Sequence, residues 1–208
     1  MDETRVLLDS DFCNMITDIN SQKIDSRKLL ENLISVIGKV PYIHEYLVKE
    51  ELFSNTIIQD FIANGKIKVL KKSEITQNGK YIKLYEDTFE EYFNTLNEED
   101  FSQIKGKSDC FSFRKQGYNL GEIHSLIAAR FLSIPLFYSN DNGARSLAKK
   151  YDTQDNIVKL ISGLDLMIEY NDVNLFDRNT RRAIFTKYEK AHWKEQYNEA
   201  VKCSLQSP

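Results

Sequence analysis

"RVLLDSD" at residues 5–11 and "FYSNDNGAR" at residues 137–145 are the stretches on which the fold turns. Each is a short, β-prone apolar run that stops on an acidic residue and is followed by helical patterning. Read as parallel strands of an α/β sheet, they bring Asp9 and Asp141 to strand ends. In an open sheet of that kind, ligands collect at the carboxyl edge of the strands. "NLGEIHSLIAAR" at 119–130 adds Glu122 in the first turn of an amphipathic helix. Three carboxylates become candidates for one cleft, and a divalent-metal site is the simplest use of them.

Working outward from these stretches, a first strand spans 4–9 and a helical segment runs to about 20. Asp25 or Ser26 caps a helix in which Leu29, Leu30, Leu33, Ile34 and Ile37 recur at helical spacing, and Gly38 ends it. "KVPYI" at 39–43 reads as a strand despite Pro41, and "HEYLVKEELF" returns to helix. Ile57, Ile58, Phe61 and Ile62 mark another helix that stops at Asn64-Gly65, after which "KIKVL" alternates as a strand. The next stretch is polar, with a turn at Asn78-Gly79. A helical stripe follows it: Tyr85, Thr88, Phe89, Tyr92, Phe93 and Leu96. Residues 66–118 therefore read as a helical insertion, serving as a lid or a partner-binding surface. Core patterning resumes at Gly121, "IPLFYS" at 134–139 is an apolar strand, and Ala144, Leu147, Ala148 and Tyr151 face one way on the next helix. The segments 156–170 and 176–200 read as two further helices. This alternation predicts an α/β fold, a three-layer α/β/α sandwich around a mostly parallel sheet. It occupies residues 1–170, with a C-terminal helical extension over 171–208.

A chain of 208 residues, 41% hydrophobic, buries enough surface for one core. The acidic opening and the short "VLL" run fit neither a signal peptide nor a membrane span, which predicts a soluble, cytoplasmic protein without a membrane partner. Cys13, Cys110 and Cys203 form no C-x-x-C pair, so neither a disulfide framework nor a thiolate zinc site is indicated. The net charge of −3 argues against holding nucleic acid by bulk electrostatics. A local basic surface remains: Arg178, Arg181, Arg182, Lys187, Lys190 and Lys194 stand against Glu189, with Phe185, Tyr188 and Trp193 interleaved. That segment is the best candidate for touching a polyanion, with Arg181 and Arg182 as substrate contacts. A solvated helix whose aromatics pack on the core explains it equally well.

Each acid also has a structural explanation. Asp141 is a natural N-cap, and Glu122 in a first turn is favoured by the helix dipole. Their joint placement shifts the weighting, because carboxylates about 4 Å apart repel by roughly 4 kcal/mol per pair at an effective dielectric near 20. A cation offsets that repulsion, and hard oxygen donors in an open cleft suit Mg²⁺ or Mn²⁺. Phosphodiester hydrolysis is the chemistry such ions serve with little further help. No G-x-S-x-G elbow and no G-x-x-x-x-G-K-[ST] loop occurs, which argues against a serine hydrolase and a nucleoside-triphosphate enzyme. His44 and His124 lack H-x-x-x-H spacing and read as packing residues.

"VLLDSDF", "VPYIHEYLVKEEL" and "LGEIHSLIAARFLSIPLFYSNDNGARSLAKKY" together resemble the PIN-domain ribonucleases, including their toxin-type members. The resemblance covers about 4–65 and 119–170. It implies Asp9, Glu50, Glu122 and Asp141 as catalytic acids, with Asp9, Glu122 and Asp141 as ligands of Mg²⁺ or Mn²⁺. Glu45 and Glu51 compete with Glu50, since a helix turns about 100° per residue and at most one or two can face the cleft; Glu50 follows Leu47 and Val48 at the family's spacing. Asp11 and Asn140 depart from the family pattern. Ser10, Ser139 and Arg145 stand where a ligand carboxylate or a substrate phosphate would be met, although a turn role for the serines and an exposed helix cation for Arg145 are the competing readings. The expected function is metal-dependent hydrolysis of nucleic acid, RNA ahead of DNA. The alternative is a toxin-like or scaffold protein that acts mainly through a partner, such as a small antitoxin-like protein, with homodimerisation a further expectation.

Overall fold

Alternation along each strand divides the core into two sides of one sheet. The computed structural model describes residues 5–19, 24–103, 109–114, 118–152, 157–171, 175–187 and 191–206. Five parallel strands, β1 (Arg5–Leu8), β2 (Val40–His44), β3 (Lys68–Leu70), β4 (Leu136–Tyr138) and β5 (Lys159–Ile161), lie in the order β3-β2-β1-β4-β5. Successive side chains of a strand point to opposite faces. Val6, Leu8, Ile43, Tyr138 and Ile161 accordingly enter one buried cluster, while Leu7, Tyr42, Phe137 and Leu160 enter the other. With both faces covered, the strands are apolar on both sides, as parallel sheets require.

On the first face lie α1 (Ser10–Thr17), α2 (Ser26–Ile37), α3 (Glu45–Glu50) and α4 (Thr56–Ala63), whose Phe12, Leu33, Leu47 and Phe61 share that cluster. The second face carries α5 (Lys72–Ile75), α6 (Ile82–Leu96), α7 (Leu120–Phe131) and α8 (Asn142–Tyr151), through Ile75, Phe89, Leu126 and Leu147. The last helices, α9 (Gly163–Glu169), α10 (Arg178–Lys187) and α11 (Ala191–Gln206), return to the first face through Leu166, Ile184 and Trp193. The three-layer α/β/α sandwich is therefore the architecture. Asp25, not Ser26, caps α2 by accepting from Lys28 N at 3.1 Å, and Gly38 ends it with a left-handed φ of 60°. Among the described residues no helix is long and apolar enough to cross a membrane.

Two expectations about elements are corrected. Residues 156–170 do not form one helix: Lys159–Ile161 pair in parallel with β4 as an edge strand, and helix begins only at Gly163. A short apolar run such as "VKLI" fits strand and helix periods alike, and only the open edge of β4 decides between them. The segment 176–200 is likewise two helices, with residues 188–190, which include Tyr188, Glu189 and Lys190 of the basic stretch, outside the described residues. The stretch 66–118, read as an insertion on the core, carries the strand expected from "KIKVL". It supplies edge strand β3 and helix α6, whose Tyr85, Phe89, Tyr92 and Phe93 are buried against α7.

Candidate functional site

The strand order reverses direction between β1 and β4: β2 and β3 extend the sheet to one side of β1, and β4 and β5 to the other. At such a switch point the loops leaving adjacent strands part in opposite directions and open a crevice beyond the carboxyl ends. Asp9 leaves β1 there, and Ser139, Asn140 and Asp141 leave β4. The backbone joins the two ends, with Asp9 N donating to Tyr138 O at 2.9 Å.

Asp9 is fully buried and serves as the N-cap of α1, accepting from Ser10 N at 2.9 Å on Oδ1 and from Ser139 Oγ at 2.7 Å on Oδ2. Burial first, then the charges of Glu122 and Asp11, raise its carboxyl well above the ordinary value. Asp11, in the first turn of α1, accepts Asn140 N on both carboxylate oxygens, at 3.3 and 3.1 Å. Asp141 caps α8 through Ala144 N at 2.8 Å, and its own N–H donates to Ser139 Oγ at 3.1 Å. Asn140 Oδ1 accepts Gly163 N at 2.8 Å, which ties the edge to the start of α9.

Glu122 sits in the first turn of α7 and is the electrostatic hub of the crevice. Its carboxyl is pushed up to about 8, chiefly by burial, with Asp141, Glu51 and Asp11 adding their charges. The approach of α7 to α3 depends on Gly121, since a Cβ there would lie 2.2 Å from Leu47 Cδ2 and 2.5 Å from Glu51 Oε1. Asn119, which precedes α7, takes a left-handed φ of 51°, a conformation that asparagine tolerates better than most residues. Its Nδ2 faces the first turn of α8 beside Asp141 Oδ1, both within 3.3 Å of the point a Cβ on Gly143 would occupy.

The structure therefore brings Asp9, Glu122 and Asp141 to one edge, with Asp11 and Glu51 beside them. It does not bring Glu50. Glu50 Oε1 pairs with Arg114 Nε at 2.5 Å, whereas Glu51 Oε2 accepts from Ser10 Oγ and burial raises its carboxyl. Of the three competing glutamates it is Glu51 that turns toward the crevice, while Glu45 pairs with Lys49 at 2.8 Å. The helical period separates neighbours by about 100° but does not say which one meets a helix far along the chain; the signal was Gly121, a residue that a close helix crossing requires. Arg145 Nη2 stands 3.9 Å from Asp165 Oδ2 at the rim. Arg181 and Arg182 lie apart from the crevice residues, on α10. His44 and His124 are fully buried and stacked, with ring centroids 5.2 Å apart.

All five crevice acids are hard oxygen donors, the set that suits Mg²⁺ or Mn²⁺; burial chiefly, and the neighbouring charges after it, raise Asp9 and Glu122, and a cation would offset the charge contribution. Each of these carboxylates is turned toward a local donor, Glu122 toward its own backbone N–H, and among the described residues no three His, Cys, Asp or Glu side chains converge closely enough to hold one ion. Fold and edge together define a parallel α/β/α sandwich with an acidic crevice at its switch point. No family model, no curated protein and no solved structure matches this chain.

Proposed function

We propose that the chain is a metal-dependent nuclease of PIN-like type, hydrolysing phosphodiester bonds in RNA. The observation that carries this reading is the crowding of Asp9, Asp11, Glu51, Glu122 and Asp141 at the β1/β4 edge, where burial and mutual charge raise Asp9 and Glu122. Asp9, Glu122 and Asp141 would hold the ion once their side chains turn inward from the partners they now meet, with Asp11 and Glu51 at the same edge. Bound there, Mg²⁺ or Mn²⁺ would supply an activated water and stabilise charge on the phosphoryl and leaving oxygens. The protein's own groups do the positioning. Ser139 orients the Asp9 carboxylate and Ser10 that of Glu51, while Asp9 and Asp141, as caps, are fixed to the rigid starts of α1 and α8. Arg145, exposed at the rim, would meet a backbone phosphate by exchanging its Asp165 partner.

The partner-docking alternative places a protein on the helix at 84–96 or on the C-terminal helices, and burial of Tyr85, Phe89, Tyr92 and Phe93 takes those aromatics out of the first of these surfaces. The test is hydrolysis of a labelled RNA in Mg²⁺ or Mn²⁺. EDTA should abolish cleavage, and Asp9→Asn or Asp141→Asn should remove most of it while the unfolding transition persists. Cleavage by either variant at the normal rate overturns the assignment.

A further inference from the structure

Away from the crevice, α10 and α11 enclose a concavity of about 720 Å³ lined by Arg178, Arg181, Arg182 and Lys194 together with Phe185 and Tyr197, and the remaining lining side chains are neutral. That volume falls within the range of about 300–1,000 Å³ common to ligand sites. Four cations around one cavity repel one another, and proteins ordinarily blunt such a cluster with their own acids. Elsewhere this chain does so: Arg27, Lys66, Arg114 and Arg130 each have a carboxylate partner within 4 Å. None of the four cavity cations has one among the described residues. Asp177, the acid preceding α10, is engaged as a cap, accepting Thr180 N at 2.7 Å; that bond is the main cause of its lowered pKa, with Arg181 a lesser one.

The cavity is also partly preorganised. Arg181 donates to the Phe176 carbonyl and lies 4.7 Å over the Tyr197 ring, whose hydroxyl donates to Asn171. One guanidinium is thus held in place, while Arg178, Arg182 and Lys194 are exposed and free to close on a ligand. Arg178, Arg181 and Arg182 follow one helical face at i, i+3 and i+4, forming a row of charge rather than a single point. A row of guanidinium groups beside aromatic side chains is the chemistry that tracks a phosphodiester backbone.

We propose that this concavity binds the phosphate backbone of a single-stranded nucleic acid. It is a holding site distinct from the acidic crevice, and it stands whether or not the crevice cleaves. Binding of a fluorescein-labelled 20-nucleotide oligouridylate in EDTA, read by anisotropy across a salt series, keeps cleavage out of the measurement. Arg178→Glu/Arg182→Glu/Lys194→Glu should weaken binding at least ten-fold relative to Lys28→Glu/Lys149→Glu/Lys159→Glu, which carries the same change in charge elsewhere. The single variants Arg178→Ala and Arg182→Ala, at exposed positions, should each reduce the slope of log affinity against log salt by about 0.7, the value for one lost single-strand phosphate contact. Equal binding by the two triple variants, or unchanged slopes in the single ones, overturns the proposal. So does displacement of the oligonucleotide by orthophosphate or by polyglutamate as effectively, charge for charge, as by unlabelled oligouridylate, which would mark a small-anion or an acidic-protein site.

Discussion

Ser139 Oγ donates to Asp9 Oδ2 at 2.7 Å, joining the end of β4 to the end of β1 across 130 positions of chain. The same hydroxyl oxygen accepts Asp141 N at 3.1 Å, so one buried serine serves two of the crevice acids. Ser139→Ala should cost about 1–3 kcal/mol, the range for leaving a buried polar group unsatisfied, and should raise the Asp9 carboxyl further, because this bond holds it down. Urea unfolding and a ¹³C titration of the Asp9 carboxyl check both effects. Unchanged stability would mean that the two strand ends do not depend on this link.

The sandwich and the edge positions of Asp9 and Asp141 were legible because strand and cap signals are local: an apolar run, then an acid able to accept a backbone N–H. What was not legible depends on contacts between distant segments. "VKLI" became strand because β4 had an open edge. The stripe of α6 became core because α7 lay opposite it. The choice of Glu51 over Glu50 was made by the crossing of α7 at Gly121, on the far side of the sequence.

That choice can be read out directly. Glu51→Gln should lower cleavage markedly, since it removes a charge from the crevice and alters the partner of Ser10. Glu50→Gln should leave the rate near normal, and it should cost at most about 1 kcal/mol of stability, because the Arg114 pair it breaks is partly exposed. Rate constants for the two variants, measured side by side, decide the matter; the opposite ranking restores Glu50.

Gly121→Ala should be among the most damaging single-methyl changes. The added Cβ would meet two side-chain ends, Leu47 Cδ2 at 2.2 Å and Glu51 Oε1 at 2.5 Å, so the buried Leu47 and the Glu51 carboxylate must be displaced. Overpacking of this kind costs about 1–3 kcal/mol, and the displacement should reduce cleavage as well. A thermal midpoint equal to that of the wild-type protein would show that these two side chains have room to move aside.

Stability should have a broad optimum on the acid side of neutrality, set by two opposed groups of buried side chains. Asp9 and Glu122 have folded pKa values above their unfolded ones, Glu122 at about 8 against 4.5. The folded state therefore binds more protons, and stability falls as pH rises from about 4.5 to 8. Burial lowers His44 to about 4 from 6.5, and lowers His124 as well. Their contribution is complete above 6.5 and is lost as pH falls toward 4. Between about 4.5 and 6.5 the two trends oppose each other; outside that window one acts without the other, each proton changing stability by at most about 1.4 kcal/mol per pH unit. Chemical denaturation from pH 4 to 8 should show the plateau with a decline on either side. Glu122→Gln should flatten the alkaline decline and tilt the plateau so that stability rises with pH there, and a uniform loss across the range would contradict the assignment.

The alkaline decline also gives the cation site a test that needs no substrate. A divalent ion among Asp9, Glu122 and Asp141 competes with the protons that Asp9 and Glu122 retain, so Mn²⁺ should stabilise the fold more at pH 8 than at pH 6. Saturation at one hundred times the dissociation constant corresponds to about 2.7 kcal/mol. Thermal midpoints with and without Mn²⁺ at the two pH values measure the effect, and proton release on adding Mn²⁺ in weak buffer measures the exchange itself. Asp9→Asn combined with Glu122→Gln should abolish both signals and leave the metal-free fold more stable at pH 8, because the cost of either ionising these buried carboxyls or holding them protonated at that pH is gone. A Mn²⁺ shift of the same size in that double variant would place the ion elsewhere on the molecule.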